Sequence, residues 1–185
     1  MNRLNLTYKG ETRVIPVTDN YYERIAKHIN DMIPTSWDSF YYLGEVERDK
    51  RSWSSVFYFV DAKSKELIKS HSIPKIYNVS EEIYLLVLDE LNQIMLALYD
   101  SFIANEQAPW EQVSITVDNN GKFNAEFCYD VMGRQNSSQV RREVIWAYNA
   151  FGLVPKEGSY TRKLLDEYLE EEYASEQSET KKTVG

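Results

Sequence analysis

The sequence predicts an α+β fold: an antiparallel sheet of about four to five strands packed against helices, one of them long and central. Three observations predict it. Two stretches rich in Tyr, Phe, Trp and Val, residues 38–47 and 53–60, are joined by the polar segment Arg48-Asp49-Lys50-Arg51-Ser52, as in a hairpin. A second strand pair, 111–118 and 122–130, flanks Asn119-Asn120-Gly121. Between the two pairs, apolar residues recur at helical spacing from Ile83 to Phe102.

In chain order, residues 4–17 alternate weakly around Lys9-Gly10 and form an extra hairpin or a loose arm. Asn20, with Glu23 three residues later, starts a helix in the manner of a capping box. Tyr21, Tyr22, Ile25, Ile29, Met32 and Ile33 follow at helical spacing until Pro34 stops it. After the first strand pair, residues 67–73 read as a third strand ended by Pro74. Ser80 then opens the long helix, with Glu81 and Glu82 placed to suit its N-terminal dipole. At about 100° per residue, Ile83, Val87, Leu91, Ile94, Met95, Leu98 and Phe102 fall within one arc. Glu82, Asp89, Gln93 and Asp100 fall on the opposite side.

The register of the second hairpin follows from its side chains. A two-residue Asn120-Gly121 turn sets Val113 opposite Cys128 and Ile115 opposite Glu126, which mismatches the apolar faces. A three-residue loop, Asn119-Asn120-Gly121, pairs Val117 with Phe123, Ile115 with Ala125 and Val113 with Phe127. That register puts the apolar side chains on one face and leaves Gly121 where a left-handed residue is needed. Val140, Val144, Ile145, Tyr148 and Phe151 then make an amphipathic helix closed by Gly152, with Pro155 three residues on. Leu164, Leu165, Tyr168 and Leu169 begin a last helix that runs into Glu170-Glu171-Glu172, where carboxylates oppose the helix dipole and fray the end. The expected organisation is an arm over 1–19, a single domain over 20–174 and a disordered polar tail over 175–185.

Composition bounds the function. With 43% hydrophobic and 27% charged residues the chain is an ordinary globular one. Its longest apolar run, from Ile83 to Leu88, is too short to span a bilayer, and the first ten residues lack a secretory apolar stretch. A lone cysteine, Cys128, suits a reducing compartment, so a cytoplasmic location is expected. The net charge of −8 is unevenly spread: residues 80–130 carry ten acidic groups and one basic, and residues 131–165 six basic and two acidic. Such a surface argues against direct binding of nucleic acid and fits a basic protein partner.

Catalytic chemistry finds little support. The two histidines, His28 and His71, stand apart from any activated Ser or Cys. Cys128 reads as a small, partly buried thiol. No His/Cys cluster has zinc spacing, no glycine-rich phosphate loop is present, and no cofactor is implied. The carboxylates Asp118, Glu126 and Asp130 suggest a metal-dependent nuclease, but Glu126 and Asp130 lie about 13 Å apart along an extended strand. The expectation is a protein that is not an enzyme.

A set of short motifs carries a resemblance. They are Ile33-Pro34 with Trp37, Ile73-Pro74 with Tyr77-Asn78-Val79, Ala108-Pro109-Trp110, Asp118-Asn119-Asn120-Gly121-Lys122-Phe123 and Phe127-Cys128-Tyr129-Asp130. Arg142-Glu143-Val144-Ile145-Trp146-Ala147-Tyr148 and Gly152-Leu153-Val154-Pro155 complete it. In this order the chain resembles, over residues 21–172, the YezG-like family of bacterial immunity proteins, antitoxins against secreted nuclease toxins. The resemblance implies a small cytoplasmic protein that binds and blocks a cognate toxin, typically a DNase-type domain exported by a type VII secretion route. The alternative is an adaptor or regulatory module for another basic protein partner.

Nuclease clefts attract phosphate, so an inhibitor gains from negative charge. The candidate partner-binding residues are therefore the stripe Glu82, Asp89 and Asp100 and the terminal cluster Asp166, Glu167, Glu170 and Glu171. Tyr41 and Tyr58 are the candidate aromatic anchors.

Overall fold

The computed structural model describes residues 3–8, 11–16, 20–133 and 138–183. The chain divides into two compact units, Met1–Val131 and Met132–Gly185.

In the first unit the strands are β1 (Arg3–Tyr8), β2 (Glu11–Pro16), β3 (Trp37–Val46), β4 (Trp53–Asp61), β5 (Leu67–Lys69), β6 (Gln112–Asp118) and β7 (Phe123–Cys128). They form one sheet in the order β2-β1-β7-β6-β3-β4-β5. From β7 to β5 every neighbouring pair is antiparallel, whereas β1 meets β7 in parallel, with Leu6 beside Ala125. The β6–β7 register is the one derived from the side chains, with Val117 opposite Phe123, Ile115 opposite Ala125 and Val113 opposite Phe127. The N–H of Gly121 donates to Asp118 O at 3.0 Å, and Gly121 takes the left-handed conformation at φ +79°.

Two helices lie against one face of this sheet. α1 (Tyr21–Met32) is capped by Asn20, whose side chain accepts the Glu23 N–H. α3 (Glu81–Ala104) is capped by Ser80, which accepts the Ile83 N–H. They pack on each other, and α3 packs on β3 and β4. Every second residue of the strands, Phe40, Tyr42 and Val46, Phe57 and Phe59, Val113 and Ile115, Ala125 and Phe127, joins the core with Ile25, Ile29, Leu91, Met95, Leu98 and Phe102. His28 ties α1 to α3 through a 2.7 Å hydrogen bond between its Nε2 and Val87 O, a structural role for that histidine.

The segment after β4 departs from the sequence reading. Only Leu67–Lys69 is strand; Ser70–Ser72 is a 3₁₀ turn and α2 (Ile73–Tyr77) follows. Pro74 does not end a strand. It occupies the first turn of α2, where a missing N–H costs nothing. Asp61 anchors this region: its carboxylate accepts the N–H groups of Lys63 and Ser64, both at 2.8 Å, and the Tyr77 hydroxyl at 3.2 Å.

The second unit pairs α4 (Gln139–Phe151) with α5 (Tyr160–Thr183). Ser138 caps α4, and Gly152 closes it at φ +73°. Its buried residues are Arg141, Val144, Trp146 and Ala147, while Val140, expected inside, is exposed. α5 starts earlier than expected, with Ser159 Oγ accepting the Arg162 N–H at 3.1 Å. It continues to Thr183, across most of the segment 175–185 expected as a disordered polar tail.

Candidate partner-binding surface

The N-terminal half of α3 dominates the exposed chemistry of the first unit. Its buried side is formed by Tyr84, Leu91, Met95, Leu98, Tyr99 and Phe102. The buried arc is thus rotated from the sequence reading: Tyr84 and Tyr99 enter it, and Ile83, expected inside, is exposed. Opposite lie Glu82, Leu86, Asp89, Gln93 and Asp100, all exposed, so the expected acidic stripe is the outward pole of the helix. Glu81, Glu82, Asp89, Glu90 and Asp100 give the helix five carboxylates, and it contains neither lysine nor arginine. Asp100 is ion-paired with Lys50, and Glu90 lies 3.9 Å from His28. Among the described residues no ion pair reaches Glu82 or Asp89.

The terminal cluster is arranged differently. Arg162 holds Asp166 at 2.8 Å, and Lys163 approaches Glu167 at 3.8 Å. The buried Arg141 reaches Glu171 at 2.7 Å and Glu167 at 3.9 Å, while Glu170 is exposed. These carboxylates are largely neutralised within their own unit. Of the two tyrosines, which face each other across β3 and β4, Tyr41 is half-buried and Tyr58 is buried. Burial takes Tyr58 out of the set of ready contacts, and the Lys69 ammonium lies 5.8 Å from the centre of its ring.

The remaining acidic residues serve local structure. Asp118 Oδ1 accepts the N–H groups of Asn120 and Lys122 at 2.9 and 2.8 Å, which locks the β6–β7 loop. Arg48 pairs with Asp130 and lies 3.3 Å from Glu111. Glu126 accepts from the Asn124 amide at 2.9 Å. Among the described residues no three of His, Cys, Asp and Glu are grouped to hold a metal ion. Cys128 lies exposed on the face of β7 opposite Phe127, although burial of its thiol is the larger cause that raises its pKa, with the nearby Glu126 carboxylate adding to it. Among the described residues no helix is long and apolar enough to cross a membrane.

Sequence reasoning located the charge of α3 but missed two features. Leu85 and Leu86 are exposed, and the signal was available, since both fall outside the arc that carries the core residues. Arg141 was passed over because a basic residue early in a helix gives no sign of being buried.

Comparison with known proteins bears on the whole of this architecture. Residues 18–165 match the model of the family described as immunity protein YezG-like. The chain is 33% identical over 154 residues to Immunity protein YezG of Bacillus spizizenii, which covers 83% of this chain and 94% of that protein. It is 30% identical over 136 residues to Immunity protein YezG of Bacillus subtilis, covering 74% of this chain and 89% of the relative. A Staphylococcus aureus relative, Type VII secretion system protein EsaG, is 24% identical over 152 residues, 81% of this chain and 92% of its own.

Proposed function

Because the chain belongs to the YezG-like family of immunity proteins, we propose that it is a non-catalytic antitoxin, which binds and neutralises a cognate secreted toxin of the nuclease, DNase-type class in the cytoplasm of the producing bacterium. The observation that carries this reading is the outward pole of α3, with its carboxylates and no cation of its own. A nuclease cleft concentrates positive potential to hold phosphate, and a rigid anionic helix is its complement. α3 is anchored by a full buried side, so little ordering entropy is lost on binding. The relative named as a type VII secretion system protein suggests the export route of the toxin.

Co-expression tests the reading directly. Growth of cells producing the toxin encoded beside this gene is restored by the protein, and the purified protein has no nuclease or hydrolase turnover with Mg²⁺, Mn²⁺ or Zn²⁺. Toxicity that persists at equal expression, with binding intact, makes the chain an adaptor for a basic partner. Turnover that disappears in Glu126→Ala or Asp130→Ala makes it an enzyme.

A further inference from the structure

The outward pole of α3 is not purely acidic. Leu86 lies between Glu82 and Asp89 at helical spacing and is 62% exposed, with Ile83, 58% exposed, one turn behind it. One exposed leucine on a protein surface needs no explanation. Glu82, Asp89 and Glu90 take the remaining three- and four-residue spacings around Leu86, so two exposed aliphatic side chains sit together among three carboxylates. This is the anatomy of an interface with an apolar centre and a charged rim.

We propose that Leu86, with Ile83 beside it, is the apolar anchor of the toxin interface, and that its occupant is a basic surface of the toxin carrying an apolar recess. The proposal rests on the immunity reading above and adds to it where the energy of the complex resides. Charge decides the kind of occupant. A second copy docking here about a two-fold axis brings Glu82 and Asp89 of each chain against the same carboxylates of the other, which repel. An anionic lipid surface is repelled for the same reason. A basic protein surface satisfies the rim while it covers the leucine. The acids then govern the rate of encounter, and Leu86, once covered and dry, governs the lifetime of the complex.

The test measures binding of the full-length protein to the inactivated toxin domain encoded beside its gene, by surface plasmon resonance. Leu86→Ala raises Kd about tenfold or more, mainly through faster dissociation, and Leu86→Met recovers most of the affinity. Ile103→Ala is the control: it is 50% exposed on the same helix, about 26 Å away along the axis, and changes Kd less than about twofold. Leu86→Ala with an unchanged Kd overturns the proposal and leaves the immunity reading standing. Equal weakening by Ile103→Ala also overturns it. Sedimentation of the free protein that falls from dimer to monomer in Leu86→Ala assigns the patch to a second copy. A wild-type protein that does not bind the domain overturns this proposal and the immunity reading together.

Discussion

Gly44 and Met95 meet so closely that a β-carbon on Gly44 would lie 2.5 Å from the methionine sulfur. It would also lie 2.7 Å from the Tyr42 hydroxyl and 3.0 Å from a methyl of Val113. Met95 is fully buried, and the Tyr42 hydroxyl is held 2.9 Å from Ser55 Oγ, so neither yields freely. The missing side chain is what lets α3 settle onto β3. Gly44→Ala therefore destabilises by about 1–3 kcal/mol, the usual effect of overpacking a filled core. Chemical denaturation of the single variant, and of Gly44→Ala with Met95→Ala, checks it. The double variant falls short of the sum of the two singles, because removing the thioether makes room for the methyl.

Phe127 and Thr116 separate the two faces of the second hairpin. Phe127 is buried, with its ring 4.8 Å from that of Phe102 and 5.5 Å from that of Trp110. Thr116 points to the other face and is half-buried. Phe127→Ala costs about 3–5 kcal/mol, while Thr116→Ala costs well under half of that. Urea unfolding midpoints of the two variants give the comparison, and equal losses would refute the register.

Asp61 makes stability depend on pH in a defined direction. The N–H groups of Ser64 and Lys63 are the main cause that brings its carboxyl down to about 2, with Thr35 and Tyr77 adding to them. Its folded pKa lies below the unfolded one, so its contribution is complete above about pH 4 and is lost as pH falls toward 2. Asp61→Asn removes that contribution. At neutral pH the variant melts below the wild type, and the gap narrows as pH is lowered through this window. Thermal melts from pH 7 to pH 2 measure the gap. A difference independent of pH would mean that the ionised carboxylate contributes nothing.

The parts of the fold legible in the sequence are those set by local alternation or by a single cap. The β6–β7 register followed from which side chains must share a face, and Asn20 and Ser80 announced their helices through short polar side chains that accept N–H groups. Pro74 misled because the same residue that ends a strand also starts a helix, and the distinction depends on the packing of Ile73 beneath it. The helical arc of α3 was right in its centre, from Leu91 to Phe102, and wrong at its start. A wheel assigns a face but not how far along the helix that face stays covered, and in the first turns only Tyr84 is buried. The same limit hid the apolar part of the candidate site. Glu82 and Asp89 read as exposed by chemistry alone, whereas Ile83 read as core and Leu86, outside the core arc, was passed over.

The final prediction concerns the charge of α3. Glu82 and Asp89 lie on its outward pole, have no ion-pair partner among the described residues, and make no contribution to the buried side. Glu82→Lys with Asp89→Lys therefore leaves the far-UV spectrum and the melting temperature close to wild type. The change in local charge acts on encounter. At a Debye length of about 10 Å in 0.1 M salt, exposed carboxylates still steer an approaching basic surface. Reversing two of them slows association with the toxin domain about tenfold or more at low ionic strength and flattens its dependence on salt, with a smaller change in dissociation. Stopped-flow association between about 20 and 500 mM salt reads both effects. Glu171 offers no equivalent probe, because reversing it strips the buried Arg141 of its 2.7 Å partner and confounds binding with folding. If the Glu82/Asp89 pair leaves association and growth protection unchanged, the stripe is a solvated helix face and the toxin is recognised elsewhere.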